Sequence, residues 1–400
     1  MQTRTQIIDP VVHTLTRSEL RLDPMRVYSS NIRLGNLKVS GVDNLKYNSL
    51  SGVYSLIQNI YLMNNSDTID QLFDAHHFLA FNACVQNGNA NNFSVWSHLN
   101  GNTNSFNIGL SRAEGDGADD RRVSHLPAMK SSTTLDGLLF LKRCFNVLSN
   151  LPDELLDTNV FSNLRVVIEW KTGDGLRACF QGNTTNLLGL LVINPPQLFA
   201  DEVLSPPEMP KAYKVQYTTI ELDKIYCKGG ANNAVVQTKQ RCNAFNGKYI
   251  ERLLLMNVDP ASLTSNVATD LVKCDGSMAL LGERIQLMVD GTTLLDFNGC
   301  DTSARKLGMT IDCFGDLCLP LGANAVAITN SADLFRLNSV NMIGEMSYFG
   351  CYVRQVVSEL DIEHTRTCVA NANTPFWLFV HGQVVKTLSV ANGSYVVAYI

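Results

Sequence analysis

The chain has 400 residues, which suggests two or three domains at ordinary domain sizes. Hydrophobic residues make up 45% and charged residues only 17%, below the roughly 25% usual for soluble proteins, so apolar material remains for interfaces once large cores are filled. A net charge of -5 argues against a nucleic-acid binder that works through overall charge.

Residues 1–35 read as an arm. Pro10, Pro24 and isolated charges prevent a long helix there. The segment is mildly basic, with Arg4, Arg17, Arg21, Arg26 and Arg33 against Asp9, Glu19 and Asp23, a pattern of solvated charge rather than a polyanion site. The opening residues lack the apolar core of a signal peptide, and no run is long enough to span a bilayer. Beyond the arm the chain is dominated by short alternating or apolar runs rich in Val, Ile, Thr, Tyr and Phe, punctuated by Gly, Asn and Asp. This is the signature of an all-β protein.

The first such run, 52–63, meets a polar turn at 64–67 and re-enters a strand at 68–72; His76 and His77 follow and read as strand residues. Long polar loops are expected at 86–109 and 114–130, and a strand at 137–145. Pro152 with Asp153 and Glu154 behind it marks one short helix at 151–156, in a connection between strands. The clearest strand is 163–170, where Leu164, Val166, Ile168 and Trp170 alternate with Arg165, Val167 and Glu169; it ends in a turn around Gly173 and Asp174. Another strand is expected at 187–193. Five of the 12 prolines fall in 194–210, which reads as a stiff connector between two sheets. Strands resume at 213–222, 248–256, 337–346 and 352–363. The tail reads as strand 376–380, a turn at His381 and Gly382, strand 384–388 and strand 395–400.

The hairpin at 52–72 occurs again in the second half. With a one-residue gap, Gly52, Leu56, Ile60, Leu62 and Met63 fall on Gly276, Leu280, Ile285, Leu287 and Met288, followed by a turn at 289–291 and a strand at 292–296. A spacing of more than half the chain is too long for a solenoid and fits one domain fold occurring twice in tandem.

No catalytic constellation emerges, so no catalytic, cofactor-binding or metal-ligating residue is assigned and no cofactor is expected. There is no nucleophile elbow, and Gly247-Lys248 is followed by Tyr249 without the upstream glycine of a phosphate loop. His76 and His77, taken as strand neighbours, point to opposite faces and make poor joint ligands. Cys313 and Cys318 lack a second pair for zinc. The acidic stretch with Glu114, Asp116, Asp119 and Asp120 lacks the ligand spacing of an EF-hand and is followed by Arg121 and Arg122; whether it binds calcium stays open. Asp153, Glu154 and Asp157 are explained by the helix start. Eleven cysteines, an odd count without framework spacing, fit a reducing compartment; Cys84, Cys144 and Cys179 lie in or beside apolar runs, and the sequons at Asn64, Asn92, Asn183 and Asn392 are expected to be unused.

Two stretches carry a family resemblance. One is 52–81, with strand, polar turn, strand and the His76-His77 aromatic segment. The other is 135–170, with its apolar strand, the insertion at Pro152 and the strand ending at Trp170. Together with the connector at 194–210, the chain resembles the double jelly-roll major capsid proteins of tailless bacteriophages, adenovirus hexon and related large DNA viruses. The resemblance implies two tandem eight-stranded jelly-roll β-sandwiches: an N-terminal arm at 1–35, a first roll at 36–205, a second at 206–368 and a C-terminal β-hairpin extension at 369–400. It also implies a non-enzymatic virion protein, made in the host cytoplasm, whose homotrimers form pseudo-hexagonal capsomers tiling an icosahedral shell. Minor capsid or penton proteins and an internal membrane are implied partners, with little direct nucleic-acid binding. The residues alone reach only two all-β domains rich in interfaces. A carbohydrate-binding pair of β-sandwiches remains open, although Trp96, Trp170 and Trp377 are dispersed. A single-roll capsid, tail or spike protein would lack the duplication, and a β-sandwich hydrolase would need a convergent set of acids or nucleophiles.

Overall fold

The computed structural model describes residues 2–40, 46–47, 52–86, 99, 137–177, 179–181, 191–258, 260, 283–294, 303–315, 348–368 and 374–400. The expectations at 87–98, 114–130, 182–190, 276–282 and 337–346, and those for Trp96 and Cys318, lie outside these residues.

Eight strand positions fill the first half: Thr3–Ile8, Arg17–Arg21, a third interrupted one (Val27–Ser29 and Arg33–Leu37), Ile57–Asn64, Asp67–Phe73, a sixth interrupted one (Gly137–Phe140 and Leu155–Asp157), Leu164–Trp170 and Gln197–Val203. One sheet takes them in the order 1-8-3-6 and the other in the order 2-7-4-5. The second half repeats the plan with Ala212–Cys227, Val235–Arg241, Lys248–Val258, Arg284–Val289, Thr292–Thr293, Tyr348–Val357, Leu360–Thr367 and Phe376–Ala391, in the same two orders. Strand 1 pairs with 8, 2 with 7, 3 with 6 and 4 with 5, all antiparallel. Such nesting is one long hairpin rolled into two facing sheets, the jelly roll. The protein is all-β, with two of them in tandem.

The repeat read from the sequence lands on the same strand pair in both rolls, positions 4 and 5. Ile60 and Leu62 in the first roll and Ile285 and Leu287 in the second point into the cores. The second hairpin closes through Asp290 and Gly291, both at positive φ (51° and 75°), the two-residue turn whose twist matches paired strands. After position 5 each roll enters a twelve-residue helix, Ala75–Gln86 or Ser303–Phe314. Phe81 and Phe314 meet edge to face, 5.1 Å between ring centres, so the two helices touch.

Several expectations are corrected. Residues 3–37 are not a free arm, since they supply strands to both sheets of the first roll. Most of the arginines there serve as counter-ions: Arg4 and Arg26 bind the two oxygens of Glu202 at 2.6 and 2.5 Å, Arg17 pairs with Glu19 at 2.8 Å, and Arg33 binds Asp201 at 2.9 Å. Within the proline-rich stretch, Gln197–Val203 is the last strand of the first roll, and the prolines flank it because they cannot donate to a ladder. Pro152–Glu154 is a three-residue 3-10 turn leading into strand Leu155–Asp157, and the strand expected at 137–145 stops at Phe140 and turns through Leu141–Arg143. His76 and His77 lie in the helix Ala75–Gln86, not in a strand. Gly173–Arg177 is a short helix where a turn was expected. The run 352–363 divides into Tyr348–Val357 and Leu360–Thr367. Phe376–Ala391 runs unbroken through His381 and Gly382, so only Ser394–Tyr399 extends the second roll, folding back on that strand.

The two rolls share a core. The outer face of the second roll's 1-8-3-6 sheet lies on the first roll: Val215, Tyr217, Ile220, Leu254, Met256 and Phe379 belong to the apolar cluster that fills the first roll. Their neighbours Ile225, Leu253, Leu255, Leu378 and Val380 face inward to the second roll's own core. Strands buried on both faces cannot alternate polar and apolar residues, which is why 253–256 and 376–380 read as continuous apolar runs.

Candidate functional site at the junction of the rolls

The densest polar chemistry in the described residues lies where the rolls meet. Strand Asp67–Phe73 of the first roll runs parallel to Ala212–Cys227 of the second, with Leu72 opposite Ile220 as the one bridging pair. Side chains do the rest of the joining. Tyr217 OH donates to the Ile69 carbonyl at 2.5 Å, Gln71 Nε2 to Glu221 Oε1 at 3.0 Å, and Asn146 Nδ2 to the Thr218 carbonyl at 2.9 Å. The closing strand adds a second tie: Asn64 Nδ2 donates to Tyr395 OH at 2.9 Å, and Tyr395 OH donates to Asp67 at 2.8 Å.

Asp70 is fully buried in this seam and accepts the backbone N–H groups of Gln71 and Val147. Burial pushes its carboxyl up to about 7, against the opposing pull of those donors and of Lys386. Lys386 is in turn lowered by burial, which Asp70 and Glu221 only partly offset. Glu221 also accepts from Tyr399 OH at 2.6 Å and lies 3.3 Å from Lys248 Nζ.

A second cluster sits at the start of the helix Ala75–Gln86. Asp74, at φ 49°, turns the chain from strand to helix; its N–H donates to Asn59, and its carboxylate takes the cap position, accepting His77 Nδ1 at 2.7 Å. His381, from the eighth strand of the second roll, places Nε2 3.5 Å from the same carboxylate oxygen. Burial alone would raise the Asp74 carboxyl, but His77 and His381 outweigh it and hold it well below the usual carboxylate range. The His76 ring stacks on His77 at 4.7 Å and its Nδ1 accepts from Lys171 Nζ at 2.5 Å. Burial and then Lys171 push His76 down, and burial lowers His381 against the pull of Asp74.

This arrangement ties the two rolls together through buried side chains. Cys144, Cys179, Cys227, Cys242, Cys313, Cys351 and Cys368 are buried and form no disulfide among themselves. Burial raises Cys227 and Cys313 to about 12 and Cys144, Cys179 and Cys242 as well, which keeps those five protonated and unreactive. Among the described residues no group of three His, Cys, Asp or Glu side chains is placed to hold a metal. His76 and His77 come together with Asp74 and His381, which the sequence reading did not connect. Glu154 pairs with Lys142 at 2.9 Å and Asp157 binds Asn159, so the acids near Pro152 are not convergent. Trp170 is buried with its indole on Ser18, and Trp377 stacks edge-on with Tyr226. A third buried cluster, Asn257, Glu283, Lys306 and His364, was also missed; its one trace in the sequence is a lone Asn257 closing an apolar run.

No protein-family model matches the sequence, and no curated protein matches it. Solved structures do match in fold. The PBCV-1 protein VP54, fitted into a reconstruction of the virophage Sputnik, aligns over 100% of this chain and 98% of its own at a TM-score of 0.61 and 10% identity. The mavirus major capsid protein aligns over 99% and 90% at 0.54 and 10% identity, and the Faustovirus major capsid protein over 98% and 90% at 0.53 and 8%. The chain shares with them the double jelly-roll fold across its whole length.

Proposed function

We propose that the protein is a major capsid protein whose homotrimers form pseudo-hexagonal capsomers tiling an icosahedral shell. The observation that carries this is the pair of rolls with the same strand order, the second packed by the outer face of one sheet into the core of the first: three such chains present six similar wedges. The first roll spans 3–203, the second 212–391, and residues 394–399 form the closing strand. The protein acts in the virion by geometry and not by catalysis, with itself as first partner and minor or penton proteins, and an internal membrane, as further ones. Low charge fits a surface that faces other protein, and the net negative balance fits little contact with the genome.

The test is the mass of the native protein by light scattering, with electron micrographs of the same sample. A trimer of the 44.1 kDa chain seen as hexagonal particles or shells is the expected result. A monomer that never assembles, even with its virus-encoded partners co-expressed, would overturn the proposal, and glycan binding would then be tested.

A further inference from the structure

Inside the second roll, Glu283 joins three elements. Its Oε1 accepts Asn257 Nδ2 at 2.8 Å from strand Lys248–Val258, and its Oε2 accepts Lys306 Nζ at 2.6 Å from helix Ser303–Phe314. His364, on strand Leu360–Thr367, donates Nε2 to Oε1 at 2.5 Å. All four side chains are buried: Asn257, Glu283 and His364 at 2% exposure and Lys306 at 5%. The Asn257 carbonyl oxygen has no hydrogen-bond partner. A primary amine and a carboxamide are thus held on the two oxygens of one carboxylate, away from water.

We propose that this cluster is a self-modification site, at which Lys306 and Asn257 join in an intramolecular isopeptide bond with Glu283 as the proton carrier. Burial favours the neutral form of a lysine and a neighbouring carboxylate the charged one, and Glu283 Oε2, 2.6 Å from Lys306 Nζ, is the acceptor through which the two forms interconvert. Glu283 Oε2 takes one proton from the Lys306 ammonium. The neutral Nζ then attacks Cγ of Asn257. The carboxyl returns its proton to Nδ2 as the tetrahedral centre collapses, and the remaining surplus proton of Nζ leaves with the departing nitrogen. One C–N bond forms between Lys306 and Asn257, the original amide C–N bond of Asn257 breaks, and ammonium is released. No oxidant or second substrate enters the balance. Proximity favours the step, because both reactants are already fixed on a single carboxylate. Lys306 and His364 keep Glu283 ionised, reversing the upward push of burial, so it starts as a proton acceptor. His364 holds that carboxylate in place and acts as a positioning residue. The bond would staple the helix Ser303–Phe314 to the third strand of the roll, a covalent clamp independent of the capsid reading, since a monomer would carry it as well as a shell.

Intact mass spectrometry of the denatured native protein tests this, followed by peptide mapping. The expected result is a mass short of the sequence by one ammonia, with a branched peptide linking the segments that hold Asn257 and Lys306. K306R, N257A and E283Q are each expected to restore the uncrosslinked peptides. H364Q is expected to slow bond formation without abolishing it. Full mass in the aged native protein, or an ammonia deficit confined to the Asn257 peptide as in imide formation, would overturn the proposal. Because the wild-type mass decides the matter, a variant that fails to fold leaves the test intact.

Discussion

Two kinds of buried group make the junction sensitive to pH in opposite directions. His76 and His381 are held below the ordinary histidine value of 6.5. As pH falls through that value the unfolded chain takes up protons before the folded one, so stability drops. Asp74 adds to the loss further down, because its folded carboxyl lies well below the unfolded value of 3.8. Asp70 acts the other way: its folded carboxyl binds a proton at about 7 and its unfolded one at 3.8, so lowering pH through that window adds stability. Urea unfolding midpoints between pH 8 and 5 should therefore show a shallower histidine-driven acid slope in H381N, where His76 remains, and fall more steeply in D70N. Unchanged slopes in both variants would remove these residues from the account. The slope is the readout, since either substitution also shifts the absolute stability.

Among the elements, the hairpin at positions 4 and 5 was legible because its turn chemistry and its apolar residues agree in both copies. The helix Ala75–Gln86 was not. It starts in the seam where Asp74, His76, His77 and Phe78 are all buried, so its first turn offers no solvent face to set a 3.6-residue period. The eighth strand of the second roll looked broken because glycine in an apolar run usually signals a turn. Here Gly382 answers a close approach instead: a Cβ would lie 2.3 Å from a ring carbon of Phe245. Gly350 does the same for the second helix, whose Phe314 ring would lie 2.7 Å from an added Cβ, while Thr310 Oγ1 accepts the Gly350 N–H at 2.9 Å. G350A should cost about 1–3 kcal/mol by overpacking, measured by denaturant unfolding. Y395F, which deletes the phenol joining Asn64 and Asp67, should cost about 1 kcal/mol. A neutral Y395F would mean that the closing strand is held by its ladder alone.

For the whole molecule, the tandem all-β plan could be read from the sequence because periodicity and turns are local. The polar clusters could not, because Asp74 meets His381, and Asn257 and Lys306 meet Glu283, only through the nested strand order. The N-terminal strands were missed for a related reason: their partners, Gln197–Val203 for Thr3–Ile8 and Leu164–Trp170 for Arg17–Arg21, lie at the far end of the roll. A shared core has a measurable result. Since the apolar cluster of the first roll includes Leu254, Met256 and Phe379 of the second, calorimetry should show one unfolding transition for both rolls. Two separated transitions, with the second roll surviving the loss of the first, would contradict that coupling.

Among the described residues the strands Asp67–Phe73 and Ala212–Cys227 share one bridging backbone pair, Leu72 with Ile220, and side chains such as Tyr217, Asn146 and Gln71 add further ties. The angle between the wedges is therefore not locked by a long ladder. Gln71, Thr218 and Glu221 lie outside the apolar cluster that fills the first roll, so substitutions at these polar ties are the ones expected to tilt one wedge against the other. If the chain tiles a closed shell as proposed, that tilt is curvature, and the radius of the container would be set at this seam rather than by the fold of the bricks.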